Sequence, residues 1–423
     1  MSDRRLLVLE RHLPHVQALL DGAGGRWEPV GTSGLLVGLV PQDAFTRLRD
    51  GRAAWGPLVA ADRELRAAFT GIPDPATVQS TTMDYHGHGT PVPSARRLPP
   101  RVGDRQLGEG VLVGVVDTGM RSHPWLDGGY LASPRDFEPY DEHGLPNGVR
   151  DHAGHGMFLA GLVLQQAQAA GVWVERALEP VGSGLASAVA TAALTLATRG
   201  IDVLNLSLGC FDDEPDSHLV MAHLVEQLHV INPDLVVVAA AGNLGGPGDP
   251  TEPASFWPAA LPGVLAVGSA QQDDDGQVRW APWSNRGPWI DLAAPGTDLL
   301  STYLYDQRAI PNQDGAAAVA TGPLYRGWAR WSGTSLSAAI VSGQIAAAMD
   351  EKALSAPQAV TLLRAGQQWP GYATEPEAGV PAVPVVRPVD WYDVLVDDPA
   401  AAATAGARLP RPWWGEPPTS RRP

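Results

Sequence analysis

Lysine is almost missing from this chain of 423 residues, which carries only Lys352. Its scarcity excludes a phosphate-binding Gly-x-x-x-x-Gly-Lys loop. A Ser-Lys dyad would have to use Lys352, which sits beside Asp350 and Glu351 and reads as exposed. Cysteine is equally scarce. Cys210 alone rules out an internal disulfide framework and fits a reducing compartment, so a cytoplasmic location is expected. No apolar run reaches the length of a membrane span. The start, MSDRRLLVLERHLPHVQ, offers only a short apolar stretch broken by Glu10 and Arg11, too short for a signal-peptide core. Positive charge is in deficit too, giving a formal net charge of −16. Nucleic acid and anionic membrane both reward basic patches, so neither is expected as a partner. Neither a Gly-x-Ser-x-Gly elbow nor a His-Glu-x-x-His zinc helix occurs.

What is present is a hydrophobic fraction of 44%, enough for a large globular core. Residues 1–70 alternate as strand (RLLVLE), helix (HVQALLDGAGG), two strands (WEPVG, GLLVGLV), helix (PQDAFTRLRDG) and a closing strand (WGPLVAAD). That order predicts a small α+β domain of the split βαβ kind. Residues 71–104 shift to Pro, Ser, Thr, Gly and His and are expected to be an extended linker. From 105 to 370, apolar runs alternate with helical periodicity, which predicts an α/β domain with a parallel sheet covered by helices. VLVGVVD, VWVERAL, DVLNLSLG, LVVVAAAG and GVLAVGSA are its buried-strand candidates. Residues 371–423 are rich in Pro and Ala and read as a partly extended tail.

Four positions could carry chemistry. Asp117 ends the strand VGVVD, at the carboxyl edge where parallel sheets bind ligands. Asp-Thr-Gly also marks aspartic proteases, but those need two such loops and this chain has one. His155, in DHAGHGMFLAG, precedes an apolar helix, where an imidazole titrating near neutral pH suits a general base. Asn243 follows the strand LVVVAAAG in a turn beside Gly242, and its amide could donate to a developing oxyanion. Ser335, in WSGTSLSAAI, opens an apolar helix, where a small polar residue can equally be a plain cap. A second Gly-Thr-Ser at 31–33 shows how common the tripeptide is, and His86-Gly87-His88-Gly89-Thr90 is a decoy with no helix after it.

Taken together, the order Asp117, His155, Asn243, Ser335, each inside its own longer motif, resembles the subtilisin-like serine proteases. The resemblance covers roughly residues 105–370 and rests on VVDTGM with SHPWL, DHAGHGMFLAG, NLSLG, AAAGN and SGTSLSAA. It implies that Asp117 orients His155, that His155 takes the proton of Ser335, and that Asn243 and the Ser335 N–H hold the oxyanion. It further implies that Ser207-Leu208-Gly209 and Ala239-Ala240-Ala241, with Gly242, wall a cleft for a peptide or protein substrate, which pairs with them as an added strand. The chain departs from the family where His-Gly is followed by Met157 rather than Thr, and where Leu336, Ser337, Ala338 and Ala339 replace Met-Ala-x-Pro. None of these removes a reacting group.

The resemblance also implies that the N-terminal domain is a propeptide-like inhibitor of its own catalytic domain, self-cleaved within the linker from Gly71 to Pro100. A permanent docking module is the alternative, and a protease-shaped peptide-binding protein with a covered site is the alternative for the whole chain. In SFWPAAL, Phe256 or Trp257 would make the primary pocket shallow and favour small residues before the scissile bond. The oxygen-rich loops FDDEPD and QQDDDG are of a kind that binds calcium, but they lack regular ligand spacing and read as solvated loops. No metal site is therefore assigned, and no cofactor is required. Cys210 reads as a small buried apolar residue. The sequence leaves the oligomeric state open.

Overall fold

The computed structural model describes residues 4–20, 26–32, 34–41, 43–44, 59–61, 64–67, 91–94, 96–98, 107–133, 148–149, 152–180, 182–211, 219–243, 245, 255–272, 278–309, 324–365, 383–386 and 396–397. The N-terminal part contains β1 (Arg4–Leu9), α1 (Leu13–Leu19), β2 (Trp27–Pro29), β3 (Leu35–Val40) and β4 (Val59–Ala61). Its strands form one sheet in the order β2-β3-β1-β4, and β1 is antiparallel to both neighbours. Period-two alternation gives this sheet two working faces. Leu6 and Val8 join Val16 and Leu20 in a small core under α1. Leu7, on the opposite face with Val30, Leu35 and Val37, is continuous with the main core. The four strands and the first helix of the expected split βαβ order are therefore present, with a second apolar face that docks. Most of the segment read as a second helix, PQDAFTRLRDG, lies outside the described residues.

A further strand, β5 (Glu64–Ala67), leaves this sheet altogether, as described below. Next, β6 (Val92–Pro93) falls within the stretch read as linker. The main body then runs through β7 (Leu112–Asp117), β8 (Tyr130–Leu131), α2 (His155–Gln166), β9 (Gly171–Arg176), β10 (Ser183–Leu185) and α3 (Ala186–Thr198). It continues with β11 (Val203–Leu206), β12 (Leu208–Phe211), α4 (Leu219–Ile231), β13 (Val236–Ala240), β14 (Phe256–Trp257), β15 (Val264–Gln272), β16 (Val278–Trp280) and β17 (Leu292–Pro295). A long hairpin of β18 (Leu299–Ala309) and β19 (Leu324–Trp331) leads into α5 (Thr334–Lys352) and α6 (Ala356–Arg364).

The central sheet has the order β16-β15-β13-β11-β7-β9-β8, with β17 beside β15. Its pairs are parallel from β8 through β15 and between β15 and β17, and β16 is antiparallel. All five strand candidates from the sequence are in it. Both faces are covered, which is why these strands read as nearly continuous apolar runs. In α5 every residue from Thr334 to Ala348 is buried, so the helix shows no polar stripe and belongs to the core. It lies beside α2, where Gln344 Nε2 donates to Gln166 Oε1 at 2.9 Å. A side chain on Gly343 would run into Gln166 and the Val163 carbonyl, so glycine permits the close approach.

The hairpin β18–β19 and the strand β6 were not legible as sheet. β6 pairs antiparallel with β19, placing Val92 opposite Arg330, and Tyr325 Oη donates to Pro91 O at 2.6 Å. Part of the predicted linker is thus built into the strand that precedes α5. The tail contributes as well: Ala293 N donates to Pro384 O and Val386 N to Ala293 O, which adds it to β17. His86–Thr90, the oxygen-rich stretches 212–216 and 273–276, and the tail beyond 397 lie outside the described residues. No helix among the described residues is long and apolar enough to cross a membrane.

The loop after Asp117 is pinned to the hairpin by a buried histidine. His123 Nε2–H donates to Gly327 O at 2.8 Å, while its Nδ1 accepts from Trp125 N at 3.1 Å. The ring stacks on Tyr305 and meets Trp328 edge-on. An acceptor at Nδ1 fixes the neutral tautomer. Burial accordingly lowers the pKa from 6.5 to about 4, against the opposing pull of the Gly327 carbonyl and Asp127. Because the unfolded chain takes the proton first, this histidine's stabilisation is complete above pH 6.5 and is lost as pH falls toward 4. The full loss is about 3 kcal/mol. Chemical unfolding of the native chain and His123→Asn at pH 7 and pH 4.5 should show the variant losing about 2 kcal/mol less between the two. Equal losses would remove His123 as the cause.

Candidate active site

Asp117 is the last residue of β7 and His155 the first of α2, and both are fully buried. His155 Nδ1 lies 2.8 Å from Asp117 Oδ1 and 2.9 Å from Oδ2. A carboxylate that also accepts from Thr118 N at 2.7 Å is an acceptor, so Nδ1 is the donor. The basic lone pair is then on Nε2. Glycine at 156 makes the approach possible: a Cβ there would lie 2.4 Å from Gly119 O. Gly156 N donates to Thr118 Oγ1, which ties the start of α2 to the loop that carries Asp117.

Ser335 is the second residue of α5 and is fully buried. Trp331, four residues earlier, meets the His155 ring edge-on at 5.2 Å, so the starts of α2 and α5 lie together. With Gln166 and Gln344 joined further along, the two helices run side by side in the same direction. The macrodipole therefore favours negative charge at the end where Ser335 stands. In this structure Ser335 Oγ donates to Ser207 O at 3.1 Å, and Ser207 Oγ donates to Ser335 O at 2.8 Å.

Asn243 is fixed by the residue before the serine. Its Oδ1 accepts from both the N–H and the hydroxyl of Thr334, each at 2.9 Å. The same hydroxyl accepts from Gly242 N at 3.0 Å. Two donors on Oδ1 settle which end of the amide is oxygen. The other end, Nδ2, is buried and has no hydrogen-bond partner among the described residues. A donor left in that condition costs free energy unless something else uses it.

The residues expected to wall a cleft fall into two groups. Ser207, Leu208 and Gly209 lead into and form β12, and β12 pairs with β5 of the N-terminal segment. Arg66 is opposite Gly209 and Ala67 opposite Leu208. On its other side β5 pairs with β10, placing Arg66 opposite Ser183 and Glu64 opposite Leu185. Ala239 and Ala240 are instead fully buried strand residues of the central sheet, paired with Ala266 and Val267. Ser183–Leu185 was missed; its only sequence signal is VGSGLAS ahead of the apolar helix α3.

Phe256 is buried and fills the space between two glycines. A Cβ on Gly209 would lie 2.5 Å from Phe256 Cε1, and one on Gly242 3.0 Å from Cγ. Gly242 also has a φ of +93°, a conformation that glycine adopts readily. Cys210 is buried in β12, opposite Trp257. No group of three or more His, Cys, Asp or Glu able to hold a metal ion occurs among the described residues.

Over 205 residues the chain is 36% identical to a thermophilic serine proteinase of Bacillus sp. (strain AK1), covering 45% of each chain. It is 30% identical over 213 residues to an intracellular serine protease of Paenibacillus polymyxa, covering 48% of this chain and 61% of that one. The chain thus spans about half the length of the curated relatives it matches. Among solved structures it is similar to fervidolysin from Fervidobacterium pennivorans, a keratinolytic enzyme related to subtilisin. That match has a TM-score of 0.58 at 18% identity and covers 91% of this chain and 60% of the other, which shows a shared fold. The family model for subtilases matches residues 108–364, a span that contains Asp117, His155, Asn243 and Ser335, and the chain belongs to the subtilase family.

Proposed function

We propose that the chain is a serine endopeptidase whose own N-terminal segment occupies its substrate cleft. The observation that carries the reading is the buried Asp117–His155 pair, set at the start of a helix running alongside the one whose first turn holds Ser335. Ser335 Oγ turns from Ser207 O toward His155 Nε2, loses its proton there and attacks the peptide carbonyl. The oxyanion that forms is met by Asn243 Nδ2 and the Ser335 N–H. Imidazolium, held by Asp117, returns the proton to the departing amine. Water then enters by the same base and releases the acyl group from Ser335.

Strand β5 supports the inhibitory part. It is the central strand of β10-β5-β12, the position an extended peptide would take. The register ends with Ala67 opposite Leu208, the neighbour of Ser207, whose carbonyl accepts from Ser335 Oγ. The next residue, Ala68, lies outside the described residues. Self-cleavage is accordingly expected between Ala68 and Phe69, just ahead of the stretch read as linker. Alanine there also suits a pocket that Phe256 fills. A location inside the cell fits the single cysteine.

A fluorophosphonate probe with intact-mass readout tests the reading. One adduct is expected on the native chain and none on Ser335→Ala. A starting mass matching residues 69–423, alone or with residues 1–68 still bound, would mark processing after Ala68. No adduct on either the full-length chain or one lacking residues 1–100 would favour a protein that holds peptides without turnover.

A further inference from the structure

We propose that Asn205 and Ser207 are positioning residues that hold the catalytic turn of Ser335 against the strand on which substrate pairs. The inference rests on the endopeptidase reading above. It starts from an oddity of composition: β11 reads Val-Leu-Asn-Leu, and its amide side chain is fully buried at the centre of the body. A buried amide without partners is costly, and this one has them. Asn205 Oδ1 accepts from Ser342 Oγ at 3.0 Å, and its Nδ2 donates to Ser207 Oγ at 2.8 Å. Ser207 Oγ passes its own proton on to Ser335 O at 2.8 Å.

Ser342 Oγ shares its proton between Asn205 Oδ1 and the carbonyl of Ala338, one turn earlier in α5, at 2.9 Å. Through that contact the asparagine is held against α5 two turns inside the helix, and its donation to Ser207 Oγ leaves the serine's hydrogen directed at Ser335 O. All four side chains are fully buried, so water does not compete for these bonds. Ser335 answers with its hydroxyl on the Ser207 carbonyl, and the next two residues, Leu208 and Gly209, pair with β5. The chain of bonds therefore joins the first turn of α5 to the strand that registers a peptide. If the turn moves, the nucleophile moves relative to the carbonyl it must attack, and a misplacement of about 1 Å can cost 10²-fold in rate.

Removing the link should act on turnover, not on peptide binding, because the Leu208–Gly209 backbone that pairs with substrate is untouched. For Asn205→Ala and Ser207→Ala, kcat per probe-reactive serine is expected to fall about 10-fold while KM stays within about twofold. Counting active sites with the fluorophosphonate removes any fraction that fails to fold. Ser207→Ala, the smaller change, keeps the test open if Asn205→Ala does not fold. Unchanged kcat per site in the foldable variants would overturn the proposal, as would a rise in KM matching the loss in kcat/KM. These outcomes are separate from failure of the endopeptidase reading, in which the native chain itself would not react with the probe.

Discussion

Asn243→Ala is expected to lower kcat by about 10²–10³-fold while leaving KM nearly unchanged. The reason lies in how the two ends of the amide are used. Oδ1 is held by the Thr334 N–H and hydroxyl, so the side chain cannot turn, and Nδ2 stays buried with no partner among the described residues. A neutral peptide carbonyl takes little from such a donor. A tetrahedral oxyanion takes a great deal, because the donor is already oriented and buried. The stabilisation appears only on the way to the transition state, so it is seen in kcat. Asn243→Asp separates this effect from simple loss of packing. It keeps the size and an oxygen for Thr334, but replaces the donor with a negative oxygen, and should fall at least as far as the alanine variant. Steady-state kinetics on active-site-titrated protein decides the matter; native kcat in Asn243→Asp would remove Asn243 from the oxyanion site.

Phe256→Gly is expected to raise kcat/KM for peptides with phenylalanine before the scissile bond by about 10²-fold relative to peptides with alanine there. In the native chain the Phe256 ring lies where the missing side chains of Gly209 and Gly242 would otherwise leave a slot. Removing the ring opens a volume of the right shape for another one. Burying an aromatic side chain is worth about 3 kcal/mol, roughly two powers of ten in discrimination. The variant also loses core packing. The comparison of two peptides on one preparation is nevertheless independent of how much of it is folded. An unchanged preference would place the primary pocket somewhere other than between these glycines.

The split between what could be read and what could not follows the range of the forces involved. Asp117, His155, Asn243 and Ser335 were legible because each sits in a local motif with its own backbone requirement. Gly156 lets α2 start against the Asp117 loop, Gly242 turns the chain ahead of Asn243, and α5 starts at Thr334, next to Ser335. The buried parallel strands were legible for a similar reason, since burial on both faces leaves an apolar signature within a few residues. By contrast, β18 and β19 carry Asp306, Gln307, Arg326 and Arg330 among their apolar residues, and their pairing is decided across the hairpin. The short, proline-bearing VP at 92–93 became a strand only because β19 offered it a free edge.

The sequence by itself determined the candidates: which groups could react, in which order they stand along the chain, and that a phosphate-binding lysine loop and an internal disulfide are excluded by a single lysine and a single cysteine. Tertiary structure alone decided who meets whom. It brought Asp117 within 2.8 Å of a histidine 38 residues away, and turned Asn243 by bonds from a threonine 91 residues away. It also laid Glu64–Ala67 between Ser183–Leu185 and Leu208–Gly209, and filled the slot between two glycines with Phe256. Such contacts join residues far apart in the chain, through side-chain packing and backbone pairing that leave no periodic trace in either partner's own neighbourhood.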